Sequence, residues 1–214
     1  MTLERIVAGL VEDTGRRCYG KYRGTVVDNE DPSRLGRLKL TVPDVFGPDL
    51  VTGWAAACVP YGGAADQGLL FVPERKAGVW VEFEQGDPEF PIWVGAYWSK
   101  KPGTGSQLPK PQADDGTEEK EVQASPTRKI IKTLKGHTIQ FEDAAGKEAV
   151  LVREGSRGHV IRMDRDGISI TDATGNALRL TADAVTLTAK TPLTIDAAGQ
   201  SVTIVCAALD VKKG

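Results

Sequence analysis

The chain is 214 residues long, 40% hydrophobic and 26% charged, with a formal net charge of -2 at pH 7. That length suits one ordinary domain or two small ones, and the near-balanced charge argues against a disordered chain or a basic nucleic-acid tail. Cys18, Cys58 and Cys206 are odd in number, far apart and joined by no C-x-x-C spacing, so they are read as reduced side chains packed as small hydrophobes.

Met1 to Val11 carries Glu4 and Arg5 and is too short for a membrane span or a secretory apolar core, which implies synthesis in the cytoplasm without a signal peptide. A short helix over Thr2 to Val11 is expected within an N-terminal segment, residues 1–15. Residues 16–98 then read as a small β-barrel. Strands are predicted over 16–27, Arg37 to Val42, Gly53 to Val59, Gly68 to Val72, Gly78 to Glu84 and Pro91 to Tyr97, with Pro43, Pro48, Pro60 and Pro73 between them. So many short strands in about 85 residues favour a closed sheet, because closure removes exposed edges. The first 98 residues hold 10 Lys or Arg and 14 Asp or Glu, a net -4 that gives a phosphate backbone no reason to dock.

Residues 99–124, rich in Pro, Gly and acidic side chains with no apolar face, read as a linker whose carboxylates have nothing to fix their separation. Strands follow over Lys129 to Leu134, His137 to Glu142, Glu148 to Arg153 and His159 to Asp164. Then comes the most regular pattern in the chain: Ile168/Ile170, Leu178/Leu180, Val185/Leu187, Leu193/Ile195, Val202/Ile204 and Leu209/Val211, each pair alternating with polar residues. A rung presenting two apolar side chains has little to bury them against in a single chain, so residues 125–214 ask for partner copies.

Gly20 to Val27, the Asp31-Pro32-x-x-Leu35-Gly36-Arg37-Leu38 run, Pro60-Tyr61-Gly62-Gly63, Phe71-Val72-Pro73 and above all Gly78 to Gly95 resemble the OB-fold domain of phage baseplate spike proteins. Gly136 to Asp143 with Gly146, then Gly167-Ile168-Ser169-Ile170, is similar to the start of that family's trimeric spike. The family comprises baseplate assembly protein V, the central spike of T4-like phages and the spikes of type VI secretion and tail-like contractile particles. The resemblance implies an all-β chain, an N-terminal OB-fold barrel followed by an intertwined trimeric β-helical (β-prism) spike. It further implies a homotrimer seated on a baseplate hub protein, connected indirectly to the inner tube, capped by a PAAR-type tip protein and driven through a target envelope by sheath contraction. The protein would thus be incorporated into the baseplate of a phage tail or tail-like particle and meet the target membrane only transiently. Ile168, Ile170, Leu178, Leu180, Val185, Leu187, Leu193, Ile195, Val202 and Ile204 would form the trimer core. Leu209, Val211, Lys212, Lys213 and Gly214 would form the tip-binding end. Some relatives carry a lysozyme domain between barrel and needle, where this chain has only residues 99–124, and no effector domain is expected after the needle.

Chemistry finds little footing. His137 and His159, the only histidines, have no cysteine or carboxylate at metal-site spacing, although the alternation Ile161/Met163 puts His159 on the apolar side. Gly62-Gly63 lacks a phosphate-loop context, and Ser156 has no His/Asp companion. No catalytic residue, metal or cofactor is expected, and the protein is read as a non-enzyme. The rival reading is an OB-fold nucleic-acid-binding module with an oligomerising β-repeat tail, using Tyr19, Tyr22, Trp54, Phe71, Trp80, Phe83 and Trp93 to stack bases. The acidic balance, with Glu82 and Glu84 among those aromatics, weighs against it.

Overall fold

Val79, Val81 and Phe83 alternate with wetter neighbours along one short segment, the period that puts every second side chain on one face of a strand. The computed structural model describes residues 17–99, 105–122 and 125–212, and the chain divides into two units between Gln107 and Leu108. The first unit holds β1 (Tyr22–Asp28), β2 (Lys39–Thr41), β3 (Ala56–Ala57), β4 (Gly78–Phe83) and β5 (Pro91–Tyr97) in the order β2-β1-β4-β5-β3. Every pairing is antiparallel except β3 with β5. The two ends of this sheet meet. Leu38 and Ala55 exchange both backbone hydrogen bonds, at 3.1 and 2.7 Å, and the Thr52 amide donates to the Leu40 carbonyl at 2.8 Å. The sheet therefore closes into a five-stranded barrel. Inside it Val26, Leu38, Leu40, Val42, Ala55, Val79, Val81, Phe83 and Trp93 form one buried cluster.

The Asp31-to-Arg37 run has a specific job in this unit. Asp31 accepts the amides of Ser33, Leu35 and Arg37, while the Arg37 guanidinium grips both carboxylate oxygens at 3.0 and 2.7 Å. That guanidinium first, and the three amides with it, hold the Asp31 carboxyl well below the usual carboxylate range. The loop so fixed offers the Gly36 carbonyl to the Trp93 indole N–H at 3.1 Å. Two expectations need correction here. Gly68 to Val72 forms no strand: the Leu69 amide closes back on the Tyr61 carbonyl at 3.0 Å, which leaves Leu69, Leu70 and Phe71 on the surface. Of the cysteines, only Cys18 packs against the barrel core, whereas Cys58 is exposed where the chain leaves β3 and Cys206 is exposed in a stretch without strand partners. The helix expected over Thr2 to Val11 lies outside the described residues.

The second unit is a meander. β6 (Arg128–Lys132), β7 (Thr138–Glu142), β8 (Ala149–Arg153), β9 (Val160–Asp164), β10 (Gly167–Thr171), β11 (Ala177–Leu180) and β12 (Val185–Thr188) pair antiparallel in simple chain order. β6 and β12 are its two edges, the first reading Arg-Lys-Ile-Ile-Lys and the second Val-Thr-Leu-Thr. Residues 108–122, expected as part of a free linker, instead lie as a strap across one face of this sheet. The Gln112 amide donates to Gln140 Oε1 at 2.8 Å and Gln140 Nε2 returns a bond to the Gln112 carbonyl at 2.9 Å, so a side-chain amide imitates a strand partner. Glu118 pairs with Lys132, Glu119 with Arg128 and Asp114 with Arg162. The acidic residues are thus fixed by bases on β6 and β9, which is the physical reason that the composition alone misleads. Gly116 sits at φ +81° with the place of a Cβ only 2.5 Å from Val160 Cγ2, so only glycine lets the strap come this close. Beneath it Leu151 is 1% exposed.

Candidate self-association interface

The strap covers one face; the other carries a stripe. The strand registers place Ile131, Ile139, Val152, Ile161, Ile170, Leu178 and Leu187 in one row across β6 to β12. A second row runs through Phe141, Val150, Met163, Ile168, Leu180 and Val185, with Lys129 ending it on β6. Nearly all of these side chains are exposed or half-buried within one chain. Six inter-strand steps of about 4.8 Å make the stripe about 29 Å long. A continuous apolar band of that length is more than an isolated soluble domain ordinarily shows to water, and it marks a surface made to be covered.

Six of the residues expected at the core of an assembly, Ile168, Ile170, Leu178, Leu180, Val185 and Leu187, fall in these two rows. The stripe begins earlier than expected, at Ile131, and takes in seven more strand residues from β6 to β9. Their alternation is present in the sequence, but β6 to β9 start 10 or 11 residues apart, without the closer spacing of the rungs from Ile168 onward. Leu193, Ile195, Val202 and Ile204 lie in residues 189–212, which form no strand, and all four are exposed. Leu209 and Val211 are exposed in the same segment, and Lys212 pairs with Asp210 at 3.0 Å. Lys213 and Gly214 lie outside the described residues.

The polar side of the unit is neutralised charge by charge. Arg128 holds Glu142 and Glu119, each at 2.6 Å, and Arg162 holds Asp164 at 2.7 Å and Asp114 at 3.1 Å. The Arg162 hydrogen bond keeps the Asp164 carboxyl below its ordinary range, and Lys132 does the same for Glu118. An open groove of about 510 Å³ lies on this face beside the end of the strap, lined in part by Asp114, Arg162, Ser169 and Arg179. Among the described residues no group of three or more His, Cys, Asp or Glu side chains is placed to hold a metal ion. No helix among them is long and apolar enough to cross a membrane.

Of the barrel aromatics expected on the rival reading, Tyr19 and Phe71 are exposed and the other five are engaged with the protein itself. Phe83 is buried against Tyr22 and Phe46, and Trp93 is buried in the core. Trp80 and Tyr97 pack with centroids 5.0 Å apart and ring planes tilted by 45°, and share the Arg23 guanidinium, while Trp54 faces Arg37 and Lys39.

Comparison with known protein families gives two matches. Residues 22–98 match the type VI secretion system/phage-baseplate injector OB domain. Residues 129–212 match the phage baseplate V C-terminal trimerisation domain, and that span contains almost the whole stripe together with the irregular segment that follows it. No curated protein matches the chain.

Proposed function

The chain belongs to the phage baseplate V family, and from that premise we propose that three copies associate through their striped faces to form the central spike of a contractile injection baseplate. The observation that carries this reading is the two-residue apolar stripe, left uncovered along seven strands inside a span matched to a trimerisation domain. Three such faces turned to a common axis would bury it. Residues 189–212 alternate apolar and polar side chains but form no strand in one chain; in the assembly they would interleave with their counterparts and extend the spike as intertwined rungs, with Leu193, Ile195, Val202 and Ile204 inward. Backbone groups that lack partners in one chain would find them in the next.

The work of such a spike is mechanical. Strand hydrogen bonds stiffen it along its axis, and sheath contraction would drive it through the target envelope with no bond made or broken by its own side chains. Three strap carboxylates, Asp114, Glu118 and Glu119, are held by Arg162, Lys132 and Arg128, and this supports a non-enzymatic role. The barrel unit would seat on the hub protein at the end of the inner tube, and the exposed Leu209 and Val211 would give a PAAR-type tip an apolar contact. Electron microscopy of the native particle with this chain localised tests the whole reading. Density on the threefold axis beneath the tube, with a separate cap touching residues 209–212, is expected; location on the sheath or off the axis overturns it.

A further inference from the structure

One margin of the second unit's sheet carries three hairpin loops, residues 133–137, 154–159 and 172–176, followed by the turn after β12. Each loop hands one hydrogen bond to its neighbour. The Gly155 amide donates to His137 Nδ1 at 3.1 Å, the Ala173 amide donates to His159 Nδ1 at 3.2 Å, and the Lys190 amide donates to Asn176 Oδ1 at 2.7 Å. The three acceptors occupy the same place, the residue one before β7, β9 and β11. Two are imidazoles and one is an amide. Gly155 approaches the first loop so closely that a Cβ would stand 2.1 Å from the Lys135 carbonyl oxygen, so the loops are in direct backbone contact at the first link.

We propose that this margin is an acid-sensitive seam, in which protonation of His137 and His159 releases two of the three links between loops while Asn176 keeps the third. An imidazole nitrogen accepts a hydrogen bond only while it carries no proton. Acidification converts both Nδ1 atoms from acceptors to donors, and each then faces an amide N–H that also donates. The groups around the seam do not restore what is lost. His137 Nδ1 stands 3.8 Å from Glu154 Oε1, too far for a hydrogen bond in the present arrangement, while the Arg153 guanidinium donates to the Gly136 carbonyl at 3.5 Å and Lys135 lies in the same loop. His159 accepts the Glu154 amide on its carbonyl at 2.9 Å; Asp172 precedes Ala173, and Arg157 belongs to its own loop.

The bonds within each loop are of a different kind. Glu154 accepts the Ser156 hydroxyl and the Ser156 and Arg157 amides, and these contacts pull its carboxyl down to about 2. Asp172 binds the Thr174 hydroxyl and amide and both Asn176 nitrogens, which hold its carboxyl well below the ordinary range. Mild acid therefore leaves each loop closed on itself and acts on the links between them. This separation does not require the trimer: it is written in single-chain contacts, and the seam opens or stays shut whether or not the spike assignment holds.

Backbone amide NMR on the full-length protein, titrated from pH 7.5 to 5, tests it. The Gly155 amide should shift in step with the imidazole C–H signals of His137 and the Ala173 amide with those of His159, and their exchange, corrected for the intrinsic pH dependence, should quicken about tenfold, the loss of one hydrogen bond each. Lys190 should stay fixed. In the doubly substituted His137→Asn, His159→Asn chain, which copies the Asn176 arrangement, the Gly155 and Ala173 responses should vanish. Titrating imidazoles with unmoved Gly155 and Ala173 amides overturn the proposal, as does a Lys190 response equal to theirs; the parent titration decides this even where the variant fails to fold.

Discussion

Ile170→Asp separates folding from assembly most cleanly. Ile170 lies within the stripe, on β10, and in a single chain it is 45% exposed. Full burial of an isoleucine is worth about 1.5–3 kcal/mol, so the share left for the interface is about 1 kcal/mol per chain. An unpaired carboxylate forced into that place costs several kcal/mol more, about 4 per chain altogether and on the order of 12 per three-chain assembly. That corresponds to about nine powers of ten in the three-body association constant. The expected outcome is a chain whose circular dichroism still reports the strands but whose mass by light scattering is that of a monomer. Ser169→Asp provides the control: the same charge is introduced one residue away on the opposite face, beside Arg162 and Arg179, and the assembly should survive. A trimer unaffected by Ile170→Asp, or one dissociated equally by both substitutions, would refute the assignment of the interface to this face.

Asp31→Asn should lower the melting temperature of the barrel unit at neutral pH. Because the native carboxyl lies below its unfolded value, its contribution is complete above about pH 4 and fades as pH falls, so the variant should also show a shallower acid limb in a thermal-melt series. Gly116→Ala places a methyl group against Val160 at a positive φ and should destabilise the second unit by about 1–3 kcal/mol in urea titration; unchanged stability would mean that the strap does not bear on the sheet. Residues 189–212 should exchange their amides freely in the Ile170→Asp monomer and slowly in the parent, as read by mass spectrometry; equal protection in both would remove these residues from the assembly.

The strands of the second unit were legible because their period of two is long and uninterrupted. Within β7 the alternation Ile139/Phe141 against Gln140 separates the two faces, whereas in β8 the run Ala149 to Val152 is apolar throughout and only the register assigns Leu151 to the Gln140 face. The barrel was legible through Gly78 to Gly95 and the Asp31-to-Arg37 run, although the latter gave no hint that a single carboxylate organises the turn. What escaped reading depended on distant partners. The strap looks like a linker because its order comes from Lys132 and Arg162, 14 and 48 residues away from Glu118 and Asp114, and no local propensity reports such a pairing. Tyr61 and Leu69 likewise close a loop where apolar composition suggested a strand. The last three apolar pairs, from Leu193 to Val211, are the reverse case: their alternation is plain, but they form no strand in a single chain.

The two edges of the meander set a race for every newly made copy. β6 shows arginine and lysines, residues that discourage a further strand from adding, whereas Val185–Thr188 offers an uncharged, β-branched border open to any chain that meets it. A lone copy is therefore asymmetric at its two borders, and open-ended strand addition at β12 would compete with association through the striped faces. The outcome is kinetic and concentration-dependent, so the ratio of closed assemblies to aggregates is decided in the interval between release of the chain and meeting its second and third partners. Slow, dilute production would favour the closed assembly, and a single lysine in place of Thr186 would slow strand addition at β12 while leaving the apolar rows unaltered.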